Sequence, residues 1–394
     1  MRLACVVHRF GADIAGGSEG HCRLVAERLA AHHDVTILTT TARDHVSWRN
    51  ELPAGRSELG SLHVWRFPVV RQRSIRRFAD LSDVVFRGGA SEAVQEQWFR
   101  ENGPEAPALL EYLAMHGPEY DRVLFWSFRY YQSFFGVPIV ADRAVLVPTA
   151  EEDPAIRLDI LASYFTKPSG FVFLTPEEHE LVARCAAGPL APSCIIGSGL
   201  EPALPRPQAA ALARHDITSP YVLYLGRIDP NKGCGTLLRF FMRFVERTRS
   251  SVPLVMAGPA NMPIPSHPLV KPLGFVEPAT REALLAHAAL LIVPSPFESL
   301  SIVLLEAWNH GVPALVNGRC RVLKGQARRS GAALYYQNYD EFAEGLQTLL
   351  EQPDVARQLG HAGRAYVDAT YRWPIVMATL EAFLTALGRP GGRS

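Results

Sequence analysis

The stretch GLEPALPRPQAAALARHD (199–216), followed by YVLYLG (221–226), decides how this chain is organised. Pro202, Pro205 and Pro207 fix φ and remove backbone donors, so the first part reads as a linker. YVLYLG is a near-continuous apolar run of strand length, and it restarts an alternation that the linker interrupts. Before the linker, LACVV (3–7), DVTILTT (34–40), LHVWRFPVV (62–70), DRVLFWSF (121–128), RAVLVPT (143–149) and GFVFLT (170–175) read as strands. After it come PLVMAG (253–258), PLGFV (272–276), LLIVPS (290–295) and PALVN (313–317), with helical patterns between them. Apolar strands separated by helices predict parallel sheets covered on both faces. The expected fold class is therefore α/β with two doubly wound domains, one over 1–199 and one over 219–372, joined by a linker over 200–218.

The totals agree. At 394 residues the chain is too long for one ordinary core. Its 48% hydrophobic and 20% charged residues, with a net charge of +1, argue against a general binder of nucleic acid or acidic polymer. The six cysteines are scattered, and no two have metal-ligand spacing, which suits free thiols in a reducing compartment. The apolar run in MRLACVVHRFG is too short for a signal-peptide core, and no later run approaches the ~20 residues of a membrane span. A cytoplasmic protein is expected, with peripheral membrane contact left open. Residues 71–118, with Arg71, Arg73, Arg76 and Arg77 ahead of the helical EAVQEQWFREN, read as an insertion on the first domain.

In sheets of this kind ligands bind beyond the C-terminal ends of the strands, so residues just after strands weigh most. GADIAGGSEGHCRLVAERLA (11–30) follows the first strand. Gly16 and Gly17 let a ligand approach the backbone, and Ser18 can cap a helix whose N-terminus is an anion site. A tight turn without a ligand fits the same residues equally, and the spacing is not the G-x-G-x-x-G of dinucleotide enzymes. GRIDPNKG (226–233) follows the first strand of the second domain. Arg227 and Lys232 there suit a diphosphate, although a solvated basic turn has the same composition. In PFESLSIVLLEAW (296–308), Glu298 falls in a strand-to-helix turn. Glu306 falls two turns into a helix that starts near Leu300 and stops before Gly311 and Pro313. A carboxylate in such apolar company needs a partner. An ion pair, a backbone cap or a ligand hydroxyl would each satisfy it.

GGSEGHCRLVAERLA, YVLYLGRIDPNKG and FESLSIVLLEAW resemble, in order and spacing, the signatures of retaining glycosyltransferases of family 4. The combination of E-x7-E with an upstream G-R-x4-K is more specific than any one motif, and the resemblance covers essentially the whole chain. It implies the GT-B fold, two Rossmann-like domains facing across a cleft, with the last helix, from about 373 to 394, packing back on the first domain. It also implies hexosyl or related transfer from a nucleoside-diphosphate sugar to a saccharide or glycoconjugate acceptor, with retention of anomeric configuration. The first glutamate, Glu298, would contact the donor sugar and Glu306 the ribose. Arg227 and Lys232 would hold the diphosphate, Gly16 and Gly17 would close over it, and Ser299, Leu300 and Ser301 would flank it. The base would rest near Gly274, Phe275 and Val276. No Asp-x-Asp element sits at a strand end, so neither a metal nor a cofactor is expected.

The chain departs from the family pattern in three places. Glu151, in LVPTAEEDP, stands where many relatives have a histidine near the donor sugar, and it joins Glu298, Arg227 and Lys232 as a catalytic candidate. Only Gly318 remains of a glycine pair, and Leu300-Ser301 replaces the usual Phe-Gly. Arg129, Glu152 and Asp153, together with the arginines at 71–77, are the acceptor candidates. Two rival readings are a donor-binding scaffold that has lost turnover and a sugar-nucleotide epimerase.

Overall fold

The computed structural model describes residues 1–14, 16–203, 210–218 and 220–388. Of the expected linker, 204–209 lie outside the described residues, as do 389–394 of the expected C-terminal segment. The chain divides into two compact units: Met1–Gly197 together with the segment from Val376 onward, and Ser198–Ile375.

Unit 1 is built on β1 (Arg2–Val6), β2 (Asp34–Thr40), β3 (Gly55–Leu59), β4 (Leu62–Phe67), β5 (Arg122–Trp126), β6 (Ala144–Val147), β7 (Gly170–Phe173) and β8 (Ser193–Ile195). The sheet order is β3-β4-β2-β1-β5-β6-β7-β8. Every pairing is parallel except β3 with β4, a hairpin turning at Gly60. Strands β5, β6 and β7 are buried along their whole length, as a sheet covered on both faces requires. Chain order reverses at β1, which lies between β2 and β5, so the loops after β1 and β5 open at the switch point where such sheets bind ligands.

The segment 71–118 is not an appendage. EAVQEQWFREN forms the helix Glu92–Asn102, followed by the helix Pro107–His116. Trp98, Phe99, Leu109 and Leu113 from these helices belong to the same buried cluster as Val6, Phe125 and Phe171. The Phe99 ring stacks on Phe134 with centroids 3.8 Å apart. Burying each such side chain contributes roughly 1.5–3 kcal/mol, which makes the segment part of the core. Its arginines are mostly occupied locally. Arg71 binds Glu101 and Glu105, Arg73 binds backbone carbonyls of 45 and 46, and Arg77 reaches Glu101. The C-terminal helix Trp373–Ala386 continues into a segment lying against the start of β7: a Cβ on Gly170 would stand 2.9 Å from Leu387 and 3.1 Å from Phe383.

Unit 2 is a six-stranded parallel sheet: β9 (Val222–Leu225), β10 (Leu254–Ala257), β11 (Val270–Gly274), β12 (Leu290–Val293), β13 (Ala314–Asn317) and β14 (Ala333–Tyr336). They run in the order β11-β10-β9-β12-β13-β14. Its switch point lies between β9 and β12, which pair directly. The helix Cys234–Thr248 buries Leu237, Leu238, Phe241 and Phe244, a single apolar stripe at helical spacing. The helix Ile302–Asn309 is anchored by Trp308, fully buried, whose indole N–H donates to the Ala332 carbonyl at 3.1 Å. A Cβ at Gly363 would come within 2.7 Å of that indole, so the neighbouring helix Pro353–Thr370 meets it with its backbone.

Candidate active site

In unit 2 the turns after β9 and β12 bring the expected cations and the first glutamate together. Asp229 accepts from the Asn231 N–H at 2.9 Å and so caps the short turn Pro230–Lys232. Burial opposes the Asp229 charge, but the Asn231 and Asn261 hydrogen bonds, with Arg227 and Lys232, hold its carboxyl below the ordinary range. Arg227 stands 3.7 Å from Asp229 with 44% of its side chain exposed. Lys232 Nζ donates to Glu298 Oε1 at 2.9 Å, a pair that is largely buried. The next residue explains this proximity. Gly233 has φ +76°, and a Cβ there would lie 2.3 Å from the Pro294 carbonyl oxygen. Only glycine lets the β9 turn press against the backbone that leaves β12 and leads to Glu298.

Beyond Glu298 the helix begins at Ile302, two residues later than the pattern predicts, so Ser299, Leu300 and Ser301 form its entry turn. Leu300 and Ser301 are buried. Glu306 has an ion-pair partner, Arg281 of the helix Pro278–His287. Gly274 ends β11 at the sheet edge, two strands from β9, Phe275 and Val276 follow it, and Phe275 is 79% exposed. In place of the missing glycine pair, Asn317 donates to the Pro294 carbonyl at 3.1 Å and Gly318 packs under Tyr335.

In unit 1, Gly16 precedes the helix Gly17–Leu29 in extended backbone, and it is the glycine the fold needs there: a Cβ would meet the Glu19 carboxylate at 2.2 Å. A Cβ at Gly17 meets nothing within 4 Å. Glu19 is 6% exposed and accepts from His8 Nε2 at 3.0 Å, from Ser18 Oγ at 2.9 Å and from Arg9. Burial opposes its charge, yet His8 and Arg9 outweigh that and hold the carboxyl below the usual carboxylate range. The His8 ring stacks on Tyr130, centroids 3.7 Å apart, which joins the loop after β1 to the loop after β5. His21 is buried between the Trp126 indole N–H, which donates to Nδ1 at 3.0 Å, and the Gly197 carbonyl, 2.8 Å from Nε2. The proton therefore sits on Nε2, and burial lowers the pKa to about 4.

After β5 and β6 the acceptor candidates meet one another. Arg129 donates to Asp153 at 2.6 Å. Burial opposes the Arg129 charge, whereas Asp153 and Glu151 stabilise it and raise its pKa. Glu152 turns instead toward Arg184, 3.6 Å away. His8, Arg9, Glu19 and His21 are not among the site residues expected from the sequence. Glu19 had a signal, because it falls on the buried stripe Cys22–Val25–Ala26–Leu29, where a carboxylate needs a partner. A cavity of about 480 Å³ in unit 1, lined by Arg2, Arg56, Trp65 and Tyr112 among others, lies at the N-terminal ends of the strands, away from these loops. Among the described residues no helix is long and apolar enough to cross a membrane.

Comparison with known proteins bears on both units. The D-inositol 3-phosphate glycosyltransferase of Kribbella flavida is 29% identical over 53% of this chain and 54% of its own. The GDP-mannose-dependent alpha-(1-6)-phosphatidylinositol monomannoside mannosyltransferase of Mycobacterium tuberculosis is 29% identical over 50% of this chain and 57% of its own. The alignments span about half the length of these curated relatives. Among solved structures, sucrose-phosphate synthase from Thermosynechococcus elongatus superposes with a TM-score of 0.73 at 18% identity, covering 98% of this chain and 99% of that one. Anabaena HepE in complex with UDP and glucose superposes with a TM-score of 0.69 at 12% identity, covering 98% and 100%. Residues 219–352 match the family model described as glycosyl transferases group 1, and the chain that carries this domain has the GT-B fold.

Proposed function

We propose that this protein is a glycosyltransferase that moves a sugar from a nucleoside-diphosphate donor, held by unit 2, to a saccharide or glycoconjugate acceptor contacted by unit 1. The observation that carries the reading is the Lys232–Glu298 contact at the ends of the adjacent strands β12 and β9, with Arg227 on the same turn. The cations and carboxylates here neutralise one another across elements, Lys232 with Glu298 and Arg281 with Glu306. A bound donor would exchange these partners: its diphosphate takes the Lys232 ammonium and the Arg227 guanidinium, and its sugar and ribose hydroxyls take the two carboxylates. Fixed cations aimed at the leaving diphosphate stabilise charge as it develops and supply this without a metal ion. Departure and attack on the same face of the donor sugar give retention. The acceptor would meet Arg129, Asp153 and Glu151. The six free cysteines fit a cytoplasmic setting.

Glu151 favours one rival, a chain that binds donor without turning it over, because that position carries a histidine in many proteins of the resembling family. The test is a melting-temperature titration with UDP, GDP, ADP and CMP, on the wild type, Lys232→Ala and Glu306→Ala, followed by transfer assays with the sugar nucleotides of whichever base binds. Stabilisation by one diphosphate, lost in both variants, supports the reading. No stabilisation by any of them refutes it. Binding without transfer to any acceptor favours the scaffold.

A further inference from the structure

We propose that Glu178, on the helix Pro176–Cys185, is a positioning residue for the acceptor side of the site. Its carboxylate clamps the turns after β6 and β7 and so fixes the backbone that presents Glu151 and Asp153. This rests on the transfer reaction proposed above.

Glu178 is 0% exposed. Its Oε1 accepts from the Ala150 N–H and its Oε2 from the Leu174 N–H, each at 2.6 Å. An acidic residue three places after a helix cap ordinarily reaches back to the cap from the surface. Thr175 is that cap, accepting from the Glu178 N–H at 3.2 Å. Glu178 does receive the Thr175 N–H in this way, but it is fully buried and its carboxylate also spans two strand ends. Burial raises its pKa, and the backbone N–H donors on both oxygens, which favour the ionised form, oppose that rise. A buried acid whose hydrogen bonds come from backbone N–H groups costs stability, so a helix cap alone does not account for it.

The clamped backbone explains the placement. Thr149, immediately before the bound Ala150 N–H, has φ +47°. A β-branched residue in the left-handed region persists only where its surroundings over-determine it. The same turn continues to Glu151 and to Asp153, which receives Arg129 from the turn after β5. That third turn carries its own left-handed residue, Ser127, at φ +64°, with its N–H on the Val147 carbonyl. One carboxylate thus holds two loops directly, and a third is joined to them through Arg129.

Glu178→Gln keeps the shape but places an amide NH2 against a backbone N–H. Glu178→Met keeps the volume, removes both acceptors and suits an apolar interior should the glutamine variant not fold. In a folded variant, kcat should fall about 10–100-fold while the donor dissociation constant stays within about twofold. Amide exchange at Ala150 and Leu174 should accelerate at least about tenfold. A merely structural role would lower the melting temperature and leave kcat per folded molecule unchanged. A kcat within twofold of wild type, or unchanged exchange at both amides, overturns the proposal. A wild-type chain that transfers no sugar refutes the proposed function instead, and the exchange rates then decide the clamp by themselves.

Discussion

Replacing Gly233 by alanine should damage unit 2 and its candidate donor site together, and the structure sets the size of the effect. At φ +76° a side chain enters the left-handed region, at a cost of about 1–2 kcal/mol. The new carbon would stand 2.3 Å from the Pro294 carbonyl oxygen, well inside any ordinary contact. The obstacle is backbone on both sides, so no flexible side chain can yield, and overpacking of this kind costs about 1–3 kcal/mol more. The total is about 2–5 kcal/mol. In a unit of this size each kcal/mol moves Tm by about 2–4 °C, so the unit 2 transition should drop by roughly 4–20 °C. Calorimetry is the suitable assay, because two units need not unfold together and a single two-state fit would blend them.

The same relief of overlap must part the β9 turn from the β12 exit, which moves Lys232 away from Glu298. Nucleoside-diphosphate affinity, measured by titration calorimetry below the lowered transition, should therefore fall at least about tenfold, one lost charge-assisted contact. A Gly233→Ala protein that melts within about 1 °C of wild type and binds nucleotide equally well would refute the reasoning. Gly274→Ala supplies the contrast. Its φ is also positive, at +66°, but nothing lies within 4 Å of the added carbon, so only the conformational cost of about 1–2 kcal/mol applies.

Lys232→Ala should weaken nucleoside-diphosphate binding about 10–100-fold while leaving nucleoside binding nearly unchanged, since in the proposed mode only the diphosphate would meet the ammonium; competition titrations separate the two. Glu306→Ala should weaken both, because the ribose is common to them, and it frees Arg281 from its ion pair. Glu151→Ala should lower kcat with little change in donor affinity, and Glu151→His should retain or raise turnover; equal kcat in all three proteins removes Glu151 from the site. Stability should also fall in mild acid. Burial lowers the His21 pKa from 6.5 to about 4, so the unfolded chain binds a proton that the folded chain refuses. Stability is then complete above pH 6.5 and lost as pH falls from about 6.5 to 4, by about 3 kcal/mol. Denaturant midpoints of unit 1 across that range check it, and a flat profile would show that His21 is not held neutral.

What the sequence disclosed divides along a physical line. Central strands were legible because burial on both faces leaves a run such as DVTILTT, which is β2 residue for residue. The edge strands β3, β8 and β14 were not. GRSEL and SCI lie at the two edges of the unit 1 sheet, largely exposed, and need no apolar pattern. The candidates of unit 2 could be named for a related reason. They stand at strand ends, within a few residues of a recognisable run, and so Arg227, Lys232 and Glu298 could be named from spacing. Arg281 could not be named as the partner of Glu306, because 25 residues and a change of element separate them.

Most partners of the unread residues are backbone groups or distant side chains. Glu178 binds the N–H groups of Ala150 and Leu174, and His21 spans the Trp126 indole and the Gly197 carbonyl. A backbone N–H has no letter of its own, so a side chain that holds backbone leaves no pair to find. Such a residue is nonetheless visible as an anomaly, a carboxylate or imidazole on an apolar stripe where burial without a partner would cost several kcal/mol. Glu19 and Glu178 both fall on such stripes, beside Cys22 and Val25 in one helix and Leu181 and Val182 in the other. The buried acid on an amphipathic helix next to a strand end therefore points to a loop that must not move. In unit 1 Glu178 holds the loop that carries the candidates Glu151 and Asp153, whereas Glu19 holds the loop after β1 through His8 and Arg9.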